Sequence, residues 1–454
     1  MGVNITFLGG AGTVTGSRYL IEYDSRRLLV DCGLFQGYKQ LRLRNWQPLP
    51  VVPDQIDALI LTHAHLDHSG YLPLLAREGF RGKVYATPAT RDLCAILLPD
   101  SGHIQEEDAA YANRHGFSKH TPALPLYTRR DALDCLPQIK ATPTNRIFQP
   151  LPGWKASFSS AGHILGAASV LLEVAGRRIL FSGDLGQPGD SLMNPPDDPP
   201  QAETVLIEST YGDRLHPPDD VAAELAPALQ RVAARGGVAV VPVFAVGRAQ
   251  LLLHTIAQLK SQGKIPKSLP IFLDSPMAVH STNVYRSHPD QTRLNERAIA
   301  AMAHAATMVE TTDQSKALAS RHGPMVILSA SGMATGGRVL HHLAMHAGNH
   351  RNMIILTGYQ APGTRGARLA AGEKTLRIHG QLVKIEAEVV QLQTASAHAD
   401  ANQLLAWLGR IPTPPDQVYV VHGDMEASDT LRMRIEHELK WRAMVPEHGS
   451  TWPV

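Results

Sequence analysis

The residues best able to do chemistry lie in one decapeptide, Leu61-Thr62-His63-Ala64-His65-Leu66-Asp67-His68-Ser69-Gly70. Imidazole and carboxylate donors suit Zn²⁺ far better than Mg²⁺ or Ca²⁺, and the cluster holds no thiolate. Three histidines and an aspartate exceed what one catalytic zinc can take from one loop while leaving water a place, so the pattern reads as two metals. A lone histidine beside a strand is usually a core or surface residue; the order His-x-His-x-Asp-His is far more specific. The run from Ile56 to Leu61 predicts a buried strand, and Tyr71 to Leu75 begins an apolar pattern that continues as a helix. Asp67 and Ser69 are expected as cap-type residues at its start. A turn between strand and helix allows all four side chains to face one pocket.

Other candidates stand where apolar runs end. Residues 27–32 predict a strand ending at Asp31, which either caps a turn or orients a metal-bound imidazole from behind. His163 lies among small residues between predicted strands, and Asp184 follows the strand 178–181. These two supply a third histidine for one metal and a carboxylate able to bridge both. Glu208 ends the run 205–208, His398 lies in Ser396-Ala397-His398-Ala399-Asp400, and His422 follows the strand 418–421. His103, His115 and His120 lack ligand spacing and read as surface residues. The glycine-rich stretch from Gly9 to Gly16 lacks Gly-Lys-Ser/Thr and a following helix, so it reads as a tight turn at the lip of a sheet rather than a phosphate cradle.

The framework must place Asp31 and His422, 391 positions apart, in one site. With 454 residues the chain calls for two or three domains, and 44% hydrophobic with 19% charged residues is ordinary for a soluble globular enzyme. No apolar run is long enough to span a bilayer, which excludes a membrane role, and the first residues read as a strand rather than a signal. Met1-Gly2 is a poor myristoylation start because Thr6 lies in an apolar strand. Cys32, Cys94 and Cys135 form no pair by spacing and favour a reducing cytoplasm. A net charge of +2 neither demands nor excludes a polyanionic partner. From about 210 to 385 strands and helices alternate, as in a parallel α/β domain whose loops gather at the carboxyl ends of its strands.

Taken together, Asp31, the His63-His65-Asp67-His68 cluster, His163, Asp184, Glu208, His398 and His422 resemble, in order, the motifs of the β-CASP branch of the metallo-β-lactamase superfamily. These nucleases are related to the endonuclease subunit of the eukaryotic mRNA 3′-end cleavage complex and to RNase J. The similarity covers essentially the whole chain. It implies an α/β fold, a metallo-β-lactamase αβ/βα sandwich from residues 1–209 and 386–454 with a parallel-sheet β-CASP domain, 210–385, inserted. It further implies one Zn²⁺ on His63, His65 and His163 and a second on Asp67, His68 and His422, with Asp184 bridging and Asp31 behind. Mn²⁺ or Fe²⁺ could occupy such His/Asp sites.

The implied reaction is hydrolysis of single-stranded RNA. Two metals can share a water, lower its pKa and neutralise phosphodiester oxygens during in-line attack. His398 is the expected general acid for the leaving 3′-oxygen, oriented by Glu208, with Asp67 counted among the catalytic groups as a ligand. The bland alternative makes Glu208 a turn cap and His398 a structural ligand. In the inserted domain, backbone N–H groups of Ser331-Gly332, expected at a helix start, and the side chains of Arg248 and Arg365 are candidate phosphate contacts. Phe244 and Tyr359 are the few aromatics near those loops, so base stacking looks limited. An endonuclease is expected, with a 5′-exonuclease, a DNA nuclease, a small-ester hydrolase and an inactive RNA-binding scaffold as alternatives. A small ester needs neither clamp nor second acid, and a scaffold would have lost ligands. A homodimer is compatible with the chain.

Overall fold

The computed structural model describes residues 2–116, 118–218 and 220–454. It divides into two compact units, Met1–Leu215 with His398–Val454, and His216–Ala397.

The first unit is built from two sheets. One has seven strands in the order Thr451–Pro453, Asn4–Gly9, Arg18–Tyr23, Arg26–Val30, Ala58–Ile60, Lys83–Ala86, Ile139–Ala141. The other has six, in the order Ala443–Met444, Gln417–Val421, Thr204–Glu208, Arg177–Phe181, Ala168–Val174, Lys155–Ser160. Apolar side chains of both sheets share one core, in which Phe7 meets Tyr419 (ring centroids 5.0 Å apart) and Tyr19 meets Phe181 (6.1 Å). Each such ring removed from water contributes about 1.5–3 kcal/mol. Two-residue turns with left-handed backbones, Asp24-Ser25 and Ala175-Gly176, close the hairpins on either side of the core.

Several strands end at a site residue. Val30 is followed by Asp31, Ser160 by the loop carrying His163, Phe181 by the loop to Asp184, and Val421 by His422, while Glu208 is itself a strand terminus. Asp31 and His422 both have left-handed backbones, φ 59° and 51°. Such conformations cost about 1–3 kcal/mol for residues other than glycine and concentrate at functional sites. The glycine-rich stretch is a turn at the sheet's lip, and its Gly10 carbonyl accepts the His422 N–H at 2.6 Å.

Local differences from expectation have simple causes. The strands predicted over 27–32 and 56–61 are shorter, Arg26–Val30 and Ala58–Ile60, because the chain turns toward the site at Asp31 and is held before Ile56 by the 3₁₀ turn Pro53–Gln55. Asp67 and Ser69 are not caps of the following helix. The amides of His68 and Ser69 both bond to the His65 carbonyl, so Leu66–Ser69 is a helical turn of its own, and Leu72–Arg77 starts afresh after Tyr71.

The second unit has a fully parallel sheet in the order Thr307–Val309, Ile271–Asp274, Met325–Ser329, Val238–Pro242, Met353–Thr357, Glu388–Leu392, with a separate hairpin Thr375–Ile378/Gln381–Lys384. Residues 386–397, expected in the returning segment, lie with this unit because Glu388–Leu392 pairs with Met353–Thr357. Residues 210–215, expected in the insertion, lie with the first unit, where the Arg214 carbonyl accepts the Ala401 N–H.

Gly33 marks the tightest junction beside the site, since a Cβ there would sit 1.6 Å from the Asp67 carbonyl oxygen. Gly33→Ala should therefore cost about 1–3 kcal/mol of stability and weaken metal retention. Gly189→Ala, whose added carbon meets nothing within 4 Å, should stay within about 0.5 kcal/mol of wild type in urea unfolding.

Candidate metal centre

The loop 61–65 and the turn Leu66–Ser69 present four ligands to the carboxyl ends of the strands. His63 Nε2 and His163 Nε2 lie 3.1 and 3.2 Å from His65 Nδ1. Asp184 Oδ2 lies 3.4 Å from His63 Nε2 and 3.5 Å from His163 Nε2. A second set forms beside it. His68 Nε2 is 3.0 Å from His422 Nε2, Asp184 Oδ1 is 3.2 and 3.6 Å from these two nitrogens, and Asp67 Oδ2 is 3.5 Å from His422 Nε2. Asp184 thus offers one oxygen to each set. Every expected ligand is present in one of the two groups.

These separations can be tested against a cation. Four ligands at bond lengths of ~2.0–2.1 Å around a tetrahedral ion lie about 3.3 Å from one another, and the observed 3.1–3.5 Å in the first set matches. Hydrogen bonding alone satisfies the donors poorly. His65 Nδ1 can share at most one proton with two imidazole nitrogens, so at least one pair of lone pairs faces each other. Asp184 Oδ1 is buried and makes no hydrogen bond of good geometry, although His68 Nε2 is near. The donor set fits two divalent cations.

The outward nitrogens of His63, His68 and His422 are held as metal-ligating imidazoles require. His68 Nδ1 faces Asp31 Oδ2 at 2.7 Å. Thr62 donates its N–H (2.8 Å) and hydroxyl (2.9–3.0 Å) to the same carboxylate, and its oxygen accepts from His63 Nδ1 at 3.1 Å. Thr210 Oγ1 faces His422 Nδ1 at 3.0 Å. These contacts fix the tautomers that leave Nε2 aimed inward. Thr62 and Thr210 were missed in the sequence; the only signal was that Thr62 precedes a ligand and Thr210 follows Glu208.

Burial and charge set the protonation of the cluster. Burial, then the neighbouring His68, pushes His63 well down, and burial takes His65 to about 4. Both stay neutral, as ligands must. Burial works against ionisation of Asp184, but His422, His68 and His63 outweigh it and hold its carboxyl well below the usual range. Burial opposes charge on His68, yet Asp184 and Asp31 carry it well above an ordinary imidazole. The upward push on His68 from two carboxylates marks negative charge that a divalent ion would neutralise.

Beside the metal sets, His398 Nδ1 lies 3.1 Å from both Glu208 oxygens and 4.0 Å from Asp184 Oδ2. Glu208 also accepts the N–H groups of Leu185 and Thr210. The expected turn-capping and histidine-orienting roles coexist in one carboxylate. His103, His115 and His120 are exposed, away from the ligand groups.

The four phosphate-contact candidates all lie in the second unit. Arg248 is the first residue of the helix Arg248–Ser261 and is buried. Ser331 and Gly332 are not at a helix start, because the helix begins only at Arg338. The intervening residues form a loop in which the Ser331 hydroxyl meets Thr335 Oγ1 and the Gly332 carbonyl accepts from Gln360. Arg365 donates to the carbonyls of Arg377, Ala334 and Thr335, so its guanidinium braces that loop.

A shared-carboxylate His/Asp centre on a two-sheet sandwich, with an inserted parallel α/β unit, defines a metallo-β-lactamase-type hydrolase. The chain matches the metallo-beta-lactamase superfamily over residues 11–229, the Beta-Casp domain over 249–369 and the Zn-dependent metallo-hydrolase RNA specificity domain over 382–446. It is 37% identical to Ribonuclease TTHA0252 of Thermus thermophilus over 93% of this chain and 94% of that protein. It is 31% identical to an RNase J-like protein of Methanocaldococcus jannaschii over the full length of both, and 32% identical to the transcription termination factor FttA of Methanosarcina mazei over 96% of this chain and 69% of that one. A crystal structure of a protein of unknown function from Enterococcus faecalis shares the fold over both whole chains, with a TM-score of 0.52 and 14% identity. The chain belongs to the β-CASP ribonuclease family of the metallo-β-lactamase superfamily.

Removing the charge behind His68 tests the support network. Asp31→Asn should lower metal affinity about 10–100-fold, read by competition with a chromogenic chelator, while far-UV circular dichroism stays native.

Proposed function

We propose that this protein is a two-metal endoribonuclease, hydrolysing phosphodiester bonds within single-stranded RNA. The observation that carries the reading is Asp184, which gives one oxygen to each three-histidine-or-aspartate set while His398, paired with Glu208, stands 4.0 Å away. The similarity to proteins named as ribonucleases supports RNA as substrate.

Two Zn²⁺ ions, when bound, supply a water of lowered pKa and positive charge beside the scissile phosphate. His63, His65 and His163 hold one ion, Asp67, His68 and His422 the other. In the hydrolysis, an oxygen–phosphorus bond forms to the attacking water, which gives up a proton to solvent, and the bond to the leaving 3′-oxygen breaks. Glu208 accepts the Nδ1–H of His398, so the transferable proton sits on Nε2 and passes to that 3′-oxygen. The products are a 5′-phosphate and a 3′-hydroxyl. Glu208 is a positioning residue that also stabilises the protonated imidazole. In the second unit, Arg248, the Ser331-Gly332 loop and Arg365, which also braces that loop, are the proposed contacts to RNA phosphates. The three buried free thiols, Cys32, Cys94 and Cys135, support a reducing compartment such as the cytoplasm.

An RNA labelled internally and at its 5′ end, incubated with Zn²⁺-loaded protein, tests this. Internal fragments with 3′-hydroxyl ends are expected, with the rate falling about 10²–10⁴-fold in His398→Ala at unchanged metal content. Mononucleotides released first from the 5′ end would reassign the protein to 5′-exonuclease action. Turnover of small esters with no RNA or DNA cleavage would end the nuclease reading. Chelator dialysis should abolish cleavage, and Zn²⁺ should restore it.

A further inference from the structure

The segment that leaves the metal centre directly after Asp31 carries a surface no catalytic role explains. Between Asp31 and Asp54 there is no acidic residue, whereas Lys39, Arg42 and Arg44 contribute three positive charges in a chain whose total is only +2. The helix within it, Lys39–Arg44, has no buried residue. Short helices in folded proteins ordinarily owe their stability to a packed face, and this one is secured from its ends. Asn45 bonds to both the N–H and the carbonyl of Phe35 (2.9 and 2.8 Å), and the Arg44 guanidinium lies 5.4 Å over the Phe35 ring. The buried Arg18 bonds to the Gly33 carbonyl (2.8 Å) and to Asn45.

Aromatic side chains bracket the helix. Among the described residues only Tyr38, Trp46 and Trp452 are strongly exposed aromatics, and the first two, 57% and 58% exposed, flank this basic stretch. A positive surface interleaved with exposed rings is the combination that holds single-stranded nucleic acid, the cations tracking phosphates and the rings stacking on bases. Seven residues of chain separate Tyr38 from Asp31, a span of at most about 25 Å.

We propose that the face formed by Tyr38, Lys39, Arg42 and Trp46 is an accessory binding surface for single-stranded RNA, engaging nucleotides that flank the scissile bond. It rests on the ribonuclease reading and extends it to a site outside the metal centre. The phosphates neutralise Lys39 and Arg42, and the rings of Tyr38 and Trp46 take bases without regard to sequence. Long RNAs gain from the surface, and substrates too short to reach it do not.

The test compares Lys39→Glu/Arg42→Glu and Trp46→Ala with the conservative Lys39→Arg/Arg42→Lys and Trp46→Phe, on three substrates: a long single-stranded RNA, a trinucleotide and bis(p-nitrophenyl) phosphate. The charge-reversed and Trp46→Ala proteins should raise KM for the long RNA about tenfold relative to the two small substrates, and the conservative variants should restore it. Removing two phosphate contacts should also flatten the dependence of log affinity on log salt by about 1.4. An unchanged KM and salt slope for the long RNA overturn the inference. So does a wild-type dimer in sedimentation that the charge-reversed variant breaks without altering RNA KM, which would make the face a contact between copies. Wild-type protein that turns over bis(p-nitrophenyl) phosphate but neither RNA removes the ribonuclease reading itself. RNA cleavage indifferent to every variant removes this surface alone.

Discussion

Donor atoms of five imidazoles and two carboxylates are packed in one nearly dry pocket, most of them closer together than neutral groups would choose. Bringing a carboxylate such as Asp184 out of water costs several kcal/mol after relaxation, and it is 2% exposed with one oxygen lacking a well-formed hydrogen bond. Lone pairs pointed at one another add to that cost. Only concentrated positive charge offsets both terms. A protonated His68 can do part of this, which explains why Asp184 and Asp31 drive it upward. Divalent cations would do it fully, and would leave His68 a neutral ligand. The rest of the first unit can be understood as the scaffold that holds this unfavourable arrangement until cations arrive.

That scaffold works by covalent and hydrogen-bonded shortness. Asp31 hangs on the last residue of a strand and reaches His68 directly and His63 through Thr62, so one carboxylate orients a histidine of each metal set. Cys32 N–H bonds to the His68 carbonyl, Leu34 N–H to the Leu66 carbonyl and Ser17 N–H to the Asp67 carbonyl. The ligand turn therefore cannot shift without moving two strand ends. The insertion costs the scaffold little. His68 and His422 touch across 354 positions of sequence, but loop closure grows only logarithmically, by about 0.6 kcal/mol per doubling. The backbone bond from Ala401 to Arg214 shows that the first unit's chain leaves and re-enters at one place, the arrangement that permits a separately cored domain to be inserted.

The ligands were legible because metal chemistry restricts residue types severely and their spacing places them at strand ends. The alternation of strand and helix likewise foretold the parallel sheet of the insertion. What the sequence concealed was local backbone geometry. Asp67 looks like a cap by type, yet the hydrogen bonds to His65 put it inside a helical turn. Ser331-Gly332 resembles a helix start, but five further residues of loop separate Gly332 from the start of the helix. Arg365 has the chemistry of a phosphate contact, and its Nε and Nη1 also reach the carbonyls of Arg377, Ala334 and Thr335, contacts that no spacing announces. The strand Glu388–Leu392, partly exposed along most of its length, gave too weak an apolar run to mark the end of the insertion. Phe244 and Tyr359 stand near the loops of the insertion by sequence, whereas exposure singles out Tyr38 and Trp46 in the first unit, a property no sequence pattern reveals.

One asymmetry in the centre follows from backbone placement alone. His63, His68, His163 and His422 approach through Nε2, the far ring atom, whereas His65 approaches through Nδ1, the near one. His65 has an extended backbone immediately before the turn Leu66–Ser69, and its carbonyl accepts the amides of His68 and Ser69. Its ring also meets those of His63 and His163 nearly edge-on, at 78° and 80°. That leaves each in-plane lone pair a separate direction of approach to a common point. Donor choice thus goes with where a helical turn begins, and in the spacing His-x-His-x-Asp-His the second histidine sits where the loop gives way to that turn.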